Sequence, residues 1–172
     1  MRRILASLCL MTAAFAASVG TPRPLADVPI QTPDKKKINL KQYRGKVVLL
    51  VLISTTCDDC IRTIDILNRM QKDFGPQGLQ VVTAAVNDNA PYEVAPFIAR
   101  YRPTYPMGYL DRDATVKIAA VPEGVRPFVP IALFIDRKGI VQQQYYGDDA
   151  VYKDEEKVFR AVMGSLLKFQ RP

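Results

Sequence analysis

The sequence predicts an α/β fold, a mixed central sheet flanked by helices. Three observations predict it. Lys46–Ile53 carries an unbroken apolar run after Gly45, the pattern of a strand buried on both faces. Asp58–Phe74 follows at once with helical periodicity. Beyond it, apolar runs and helical segments alternate before two strands joined by the tight turn Asp136-Arg137-Lys138-Gly139, which predicts an antiparallel hairpin.

The elements follow in order. Arg2 and Arg3 precede an uncharged apolar stretch, Ile4 to Phe15, and Ala14-Phe15-Ala16 has the small residues a signal peptidase accepts. Residues 1–16 are therefore expected to be a cleaved signal peptide, because a run of about a dozen residues is short for a membrane anchor. Cys9 would leave with it. Leu8 is too bulky for a lipoprotein signal at Cys9. Residues 17–33 contain Pro22, Pro24, Pro29 and Pro33, so an irregular linker is expected there, with the folded domain spanning 34–172. Lys35, Lys36, Lys37, Lys41, Arg44 and Lys46 read as a solvated turn and edge whose Ile38, Leu40 and Tyr43 point inward.

In the helix after the first strand, Cys60, Ile64, Leu67 and Met70 recur at three- and four-residue steps, and Gly75-Pro76 ends it. Leu79–Val86 reads as a second buried strand and Asn87-Asp88-Asn89 as its exit turn. Tyr92–Tyr101 reads as a helix, Met107–Leu110 as a short strand and Asp113–Val121 as a helix. Ile131–Ile135 and Ile140–Tyr146 form the hairpin. Lys153–Phe169 closes the chain as an amphipathic helix, with Val158, Val162 and Leu166 in one row and Phe159 and Met163 beside it.

Composition narrows the function classes. The chain has 172 residues, 48% of them hydrophobic and 24% charged, which suits one soluble domain with a real core. The net charge of +7 includes Arg2 and Arg3 and is too modest to imply nucleic acid. There is no His at all, and only three Cys. A structural zinc needs four ligands, so Cys57 and Cys60 are not expected to form half of a zinc site. Haem attachment is excluded likewise, because Ile61 follows Cys60. No metal or cofactor is expected beyond a redox-active Cys57–Cys60 disulfide.

Cys57-Asp58-Asp59-Cys60 carries the chemistry. A bridge closing so short a loop removes little chain entropy, so the pair reads as chemical rather than structural. It sits where a strand ends and a helix begins. The helix N-terminus favours a thiolate on Cys57, and a three-residue step places both sulfurs on one face of the first turn. Cys57 can attack a foreign disulfide, and Cys60 can resolve the mixed disulfide. Asp58 and Asp59 are the expected tuning groups: their like charge disfavours a thiolate on Cys57.

At these residues the chain resembles the thioredoxin superfamily, and more narrowly the exported TlpA- and ResA-like reductases. The resemblance runs from about Ile38 to Phe169. It includes Gly45-Lys46-Val47-Val48-Leu49 before the CxxC, and Val129-Pro130 before Ala132-Leu133-Phe134-Ile135-Asp136. It implies a thioredoxin-like three-layer sandwich, with a strand-helix insert between Asn87 and Val121. It also implies a cis-proline opposite the CxxC; Pro130 matches that position, with Pro127 further from the strand. Val129, Pro130 and Thr56 are then the expected substrate-binding residues. The chain departs from the pattern in having Thr56 where an aromatic usually stands, Val51 at the position of a proton acceptor, Asp59 in place of Pro, and no Trp.

The function implied is a thiol-disulfide oxidoreductase, a monomer reducing disulfides of exported proteins in the periplasm or another extracytoplasmic space. Its electrons would come from a membrane or periplasmic donor. A peroxiredoxin-like peroxidase is an alternative: Ser54 stands three before Cys57, but the upstream Pro of that chemistry is missing. A redox-inert binding module is the other. Asp111 and Asp113 read as flanking a helix start, and Tyr101, Tyr105, Tyr109, Tyr145 and Tyr146 as packing residues.

Overall fold

The structure, a computed structural model, describes residues 20–169. The expected signal peptide, with Cys9, lies outside them. Two-residue strands open the described chain: β1 (Arg23–Pro24), β2 (Ile30–Gln31) and β3 (Lys37–Ile38). The central elements are β4 (Val47–Ile53), α1 (Asp58–Phe74), β5 (Leu79–Ala85) and α2 (Ala90–Tyr101). Then come β6 (Met107–Tyr109), α3 (Arg112–Ala119), β7 (Ile131–Ile135), β8 (Ile140–Tyr145) and α4 (Glu155–Phe169). The strands form one mixed sheet in the order β1-β8-β7-β4-β5-β6-β2-β3. This is the thioredoxin-like α/β architecture.

All seven residues of β4 are buried, because the strand runs up the middle of the sheet with parallel β5 on one side and antiparallel β7 on the other. Its alternate side chains feed two cores. Val47, Leu49, Val51 and Ile53 meet Ile64, Leu67 and Met70 of α1, Val94 and Phe97 of α2, and Phe159 and Met163 of α4. Val48, Leu50 and Leu52 face Ile118 of α3 together with Val28, Ile30 and Leu40. Each fully buried Leu or Ile contributes about 1.5–3 kcal/mol relative to exposure, so β4 anchors both layers.

Two expectations are corrected. Residues 20–33 are not an irregular linker. Arg23 and Pro24 pair with Val141 and Ile140, Ile30 and Gln31 pair with Ile38 and Lys37, and Ile30 is fully buried. Proline is compatible with an edge strand, where a missing N–H faces no partner. The buried stripe of α4 is also turned from the expected row. Phe159, Val162, Met163 and Leu167 are buried, while Val158 and Leu166 are only partly so, because the helix leans its Phe159 side onto Phe134. The helices and the remaining strands fall within two residues of their expected limits. α2 starts at Ala90, since Pro91 is tolerated in a first helical turn, and a 3-10 turn, Ala150–Asp154, precedes α4.

α4 is fastened to α1 on the surface. Arg69 and Arg160 both pair with Glu156, and Arg160 also reaches Asp73. Exposed pairs of this kind contribute about 0.2–1 kcal/mol each. Their structural effect is to hold the first turns of α4 against the C-terminal half of α1.

Candidate functional site

β4 delivers the chain to Ser54-Thr55-Thr56, and Cys57 is the N-cap of α1, with φ −97° and ψ 118°. Its Sγ accepts from the backbone N–H of Cys60 at 3.3 Å. A helix N-terminus has unpaired N–H groups and partial positive charge, so a sulfur in this position is well placed to carry negative charge. Cys57 is half-buried and reachable; Cys60 is fully buried beneath it, with the Ser54 N–H donating to its Sγ at 3.5 Å. Burial pushes the Cys60 thiol far above its ordinary range, the contact with Cys57 adds to this, and the Ser54 N–H opposes it. One sulfur is open to attack a substrate, and the other is protected until the first has reacted.

Asp58 and Asp59 are exposed in the first turn of α1. Asp59 pairs with Arg62, and its charge acts on the buried Cys60, whose thiol it helps to push up. Thr56 is exposed beside Cys57, its hydroxyl 3.1 Å from that of Ser54. Val51, at the position where the resemblance would place a proton acceptor, is buried between Thr83 and Ala132.

Pro130 and Val129 come to the same end of the sheet. Leu52 pairs with Ile131, so Pro130 sits beside the end of β4, and the Val129–Pro130 peptide bond is cis. Pro130 is buried and Val129 half-buried. Gly147 holds this loop by close approach: its N–H donates to the Phe128 carbonyl at 2.8 Å, and a Cβ there would strike the Val129 carbonyl. Pro127 lies three residues back in the exposed loop.

Sequence reasoning missed three residues beneath the pair. Thr63, one turn after Cys60, is fully buried, and its hydroxyl donates to Oε1 of Glu155 at 2.8 Å. Glu155 is half-buried at the start of α4. Burial pushes its carboxyl up to about 7, against the Thr63 bond and Arg62. Tyr152 donates its hydroxyl to the Pro130 carbonyl at 2.7 Å. Thr63 was open to detection, since it shares the three-residue step that buries Cys60. Glu155 was not, because it sits in an acidic run, Asp154-Glu155-Glu156, in which only tertiary packing singles one out. A second network closes the other side: the Asn87 side chain accepts from the Thr55 N–H at 3.1 Å and donates to Glu93 at 2.8 Å. Asp111 caps α3 by accepting from Ala114 N–H at 2.8 Å, which accounts for it structurally. Among the described residues no group of three or more His, Cys, Asp or Glu side chains is placed to hold a metal ion.

Residues 19–144 match the family model described as AhpC/TSA. The chain belongs to the AhpC/TSA family. Within that family its sequence is similar to the thiol-disulfide oxidoreductase ResA of Geobacillus thermodenitrificans, 31% identical over 129 residues, covering 74% of this chain and 69% of the relative. ResA of Bacillus anthracis is 29% identical over 113 residues, covering 66% of this chain and 62% of that one. Among solved structures, a thiol:disulfide interchange protein of the thioredoxin family from Chlorobium tepidum superposes with a TM-score of 0.70 at 20% identity, covering 85% of this chain and 97% of its own. A secreted Mycobacterium tuberculosis disulfide oxidoreductase superposes with a TM-score of 0.60 at 15% identity, covering 81% and 96%. These structures share the fold. With the Cys57–Cys60 geometry, the ResA relatives identify this AhpC/TSA-family chain as a thiol-disulfide oxidoreductase.

Proposed function

We propose that the protein reduces disulfides of exported proteins, with Cys57 as nucleophile and Cys60 as resolving thiol. The observation that carries this reading is the division of labour at the head of α1: a reachable sulfur at the N-cap and a fully buried one behind it. Cys57 attacks a substrate sulfur to form a mixed disulfide. Cys60 then attacks Cys57, closing the Cys57–Cys60 disulfide and releasing the reduced substrate. Thr56, Val129 and Pro130 border the reacting sulfur and form the bed for an extended substrate segment, while Asp58 and Asp59 oppose negative charge at its mouth. The protein needs no other cofactor and acts as a monomer outside the cytoplasm, carried there by the N-terminal signal. The Arg2-Arg3 start, the apolar run and the secreted M. tuberculosis structural relative support this location. A membrane or periplasmic donor re-reduces the pair.

The test is the equilibrium potential of Cys57–Cys60 in a thiol redox buffer, together with a Cys60→Ser variant exposed to a disulfide-bonded protein. A reductant gives a value near that of thioredoxin, about −270 mV, and the variant accumulates a mixed disulfide at Cys57 detectable by mass. A value near about −120 mV would reverse the direction of electron flow. A pair inert to the buffer would leave only a binding module. Rapid peroxide consumption would favour a peroxidase.

A further inference from the structure

Thr56 is joined directly to Cys57, and its short, exposed side chain borders an open cleft between the turn before α1 and one face of α2. The rim nearest the nucleophile is firmly held. The Asn87 side chain accepts from the Thr55 N–H at 3.1 Å, and it donates to the Thr55 hydroxyl at 3.0 Å and to Glu93 Oε2 at 2.8 Å. The Thr55 hydroxyl in turn donates to Glu93 Oε2. The Glu93 carboxylate is thus engaged in tying Thr55 to α2, and the turn that carries Cys57 is fixed relative to that helix.

The α2 side of the cleft is aromatic. Phe97 is buried at its floor and Tyr101, four residues on, is half-buried, with ring centroids 4.5 Å apart and planes at 47°. The exposed Arg100 places its guanidinium carbon 5.2 Å from the Tyr101 ring centroid. Pro96 completes the wall. A proline in a helix interior forfeits the hydrogen bond to the carbonyl four residues back; here its exposed ring adds a rigid apolar surface beside the two aromatic ones. The cleft has a volume of about 220 Å³. Sites that enclose a free small molecule usually hold about 300–1,000 Å³, so this one suits a single side chain.

The chemistry of these walls selects among side chains. A cation would meet Arg100 while Glu93 is already engaged, and a carboxylate would be drawn out of water onto apolar rings. An aromatic ring packs at an angle against Phe97 and Tyr101 and offers its face to the Arg100 guanidinium. We propose that this cleft is the specificity subsite of the enzyme, taking an aromatic side chain next to the half-cystine that Cys57 attacks. The inference rests on the dithiol reading above and deepens it by naming the substrate class: proteins whose reactive disulfide is flanked by an aromatic residue. The ring occupies the cleft before the sulfurs react and keeps the same contacts as they do, so it strengthens binding without altering the chemical step.

The experiment is single-turnover reaction of the reduced full chain with short peptide disulfides whose cysteine is flanked on both sides by Phe, Leu or Ser, followed by acid quench and mass. Each rate is divided by that peptide's rate with a small thiol, which removes differences in intrinsic reactivity. In the wild type the Phe peptide reacts about tenfold faster than the Ser peptide at low concentration, the upper end of what one aromatic pair contributes. The gain comes through half-saturation at a lower peptide concentration, with the same limiting rate. The Leu peptide exceeds the Ser peptide by no more than about threefold. Tyr101→Ala brings the Phe-to-Ser ratio below about threefold, and Tyr101→Phe keeps it. Arg100→Ala, at an exposed position outside the core, lowers the ratio by about twofold to fivefold and decides the matter should Tyr101→Ala fail to fold. Equal rates for the Phe and Ser peptides, a Leu peptide as fast as the Phe peptide, or a ratio unchanged in these two alanine variants overturns the proposal and leaves the dithiol reading standing. A wild type that reacts with none of the peptides overturns that reading itself.

Discussion

Glu155 makes the stability of this protein depend on pH in a calculable way. Its carboxyl titrates at about 7 in the fold against an ordinary 4.5, with burial as the leading cause. The folded state therefore holds this proton more tightly than the unfolded chain does. The stabilisation is fully present below about pH 4.5 and is lost as pH rises to about 7. At about 1.36 kcal/mol per pH unit the full effect is about 3 kcal/mol. The side chain is only half-buried, and solvent screening brings this to about 1–2 kcal/mol. For a domain of this size that is a melting shift of about 2–8 °C. Glutamine has nearly the same shape, still accepts from Thr63 and is never charged. Thermal unfolding of wild type and Glu155→Gln at about pH 5 and about pH 8 isolates the effect, because every other group is common to both. The wild type should lose melting temperature relative to the variant at the higher pH. A difference independent of pH would refute the reasoning, since it would mean that the carboxyl is ionised at both.

Other perturbations test the frame around the site. Gly108→Ala places a Cβ against the Gln31 carbonyl and 2.7 Å from Ile30 Cγ2; a loss of about 1–3 kcal/mol in urea unfolding is expected, and none would show that β2 can move off β6. Ile30→Ala removes a fully buried side chain outside the expected domain limits and should cost about 2–5 kcal/mol. An unaltered unfolding midpoint would mean that residues 20–33 are dispensable to the fold. Tyr152→Phe deletes the donor to the Pro130 carbonyl and should cost about 1 kcal/mol, measured by chemical denaturation.

The parts of this protein that were legible in its sequence are those governed by short-range pattern. Val47–Ile53 is apolar without interruption because both faces of β4 are covered, and the three- and four-residue spacing from Cys60 to Met70 reports a single buried helix face. The CxxC at their junction could therefore be placed before any coordinates. The residues that escaped notice depend on long-range partners. Arg23 and Pro24 are strand only because β8 lies alongside, and a two-residue strand has no periodicity to read. Glu155 differs from Asp154 and Glu156 only in being turned toward Thr63, which is 92 positions away in the chain. Charge patterning marks such a residue as solvated, and only the seating of α4 on α1 removes it from water.

Cys57 holds two offices: it is both the outermost sulfur of the pair and the residue that finishes α1, through the bond from the Cys60 N–H to its Sγ. Oxidation ties that sulfur covalently to Cys60, so it can no longer bear the negative charge that best satisfies the orphan N–H groups of the helix end. Each catalytic cycle therefore switches the charge that faces the head of α1, in the same step that makes or breaks the bond between the sulfurs.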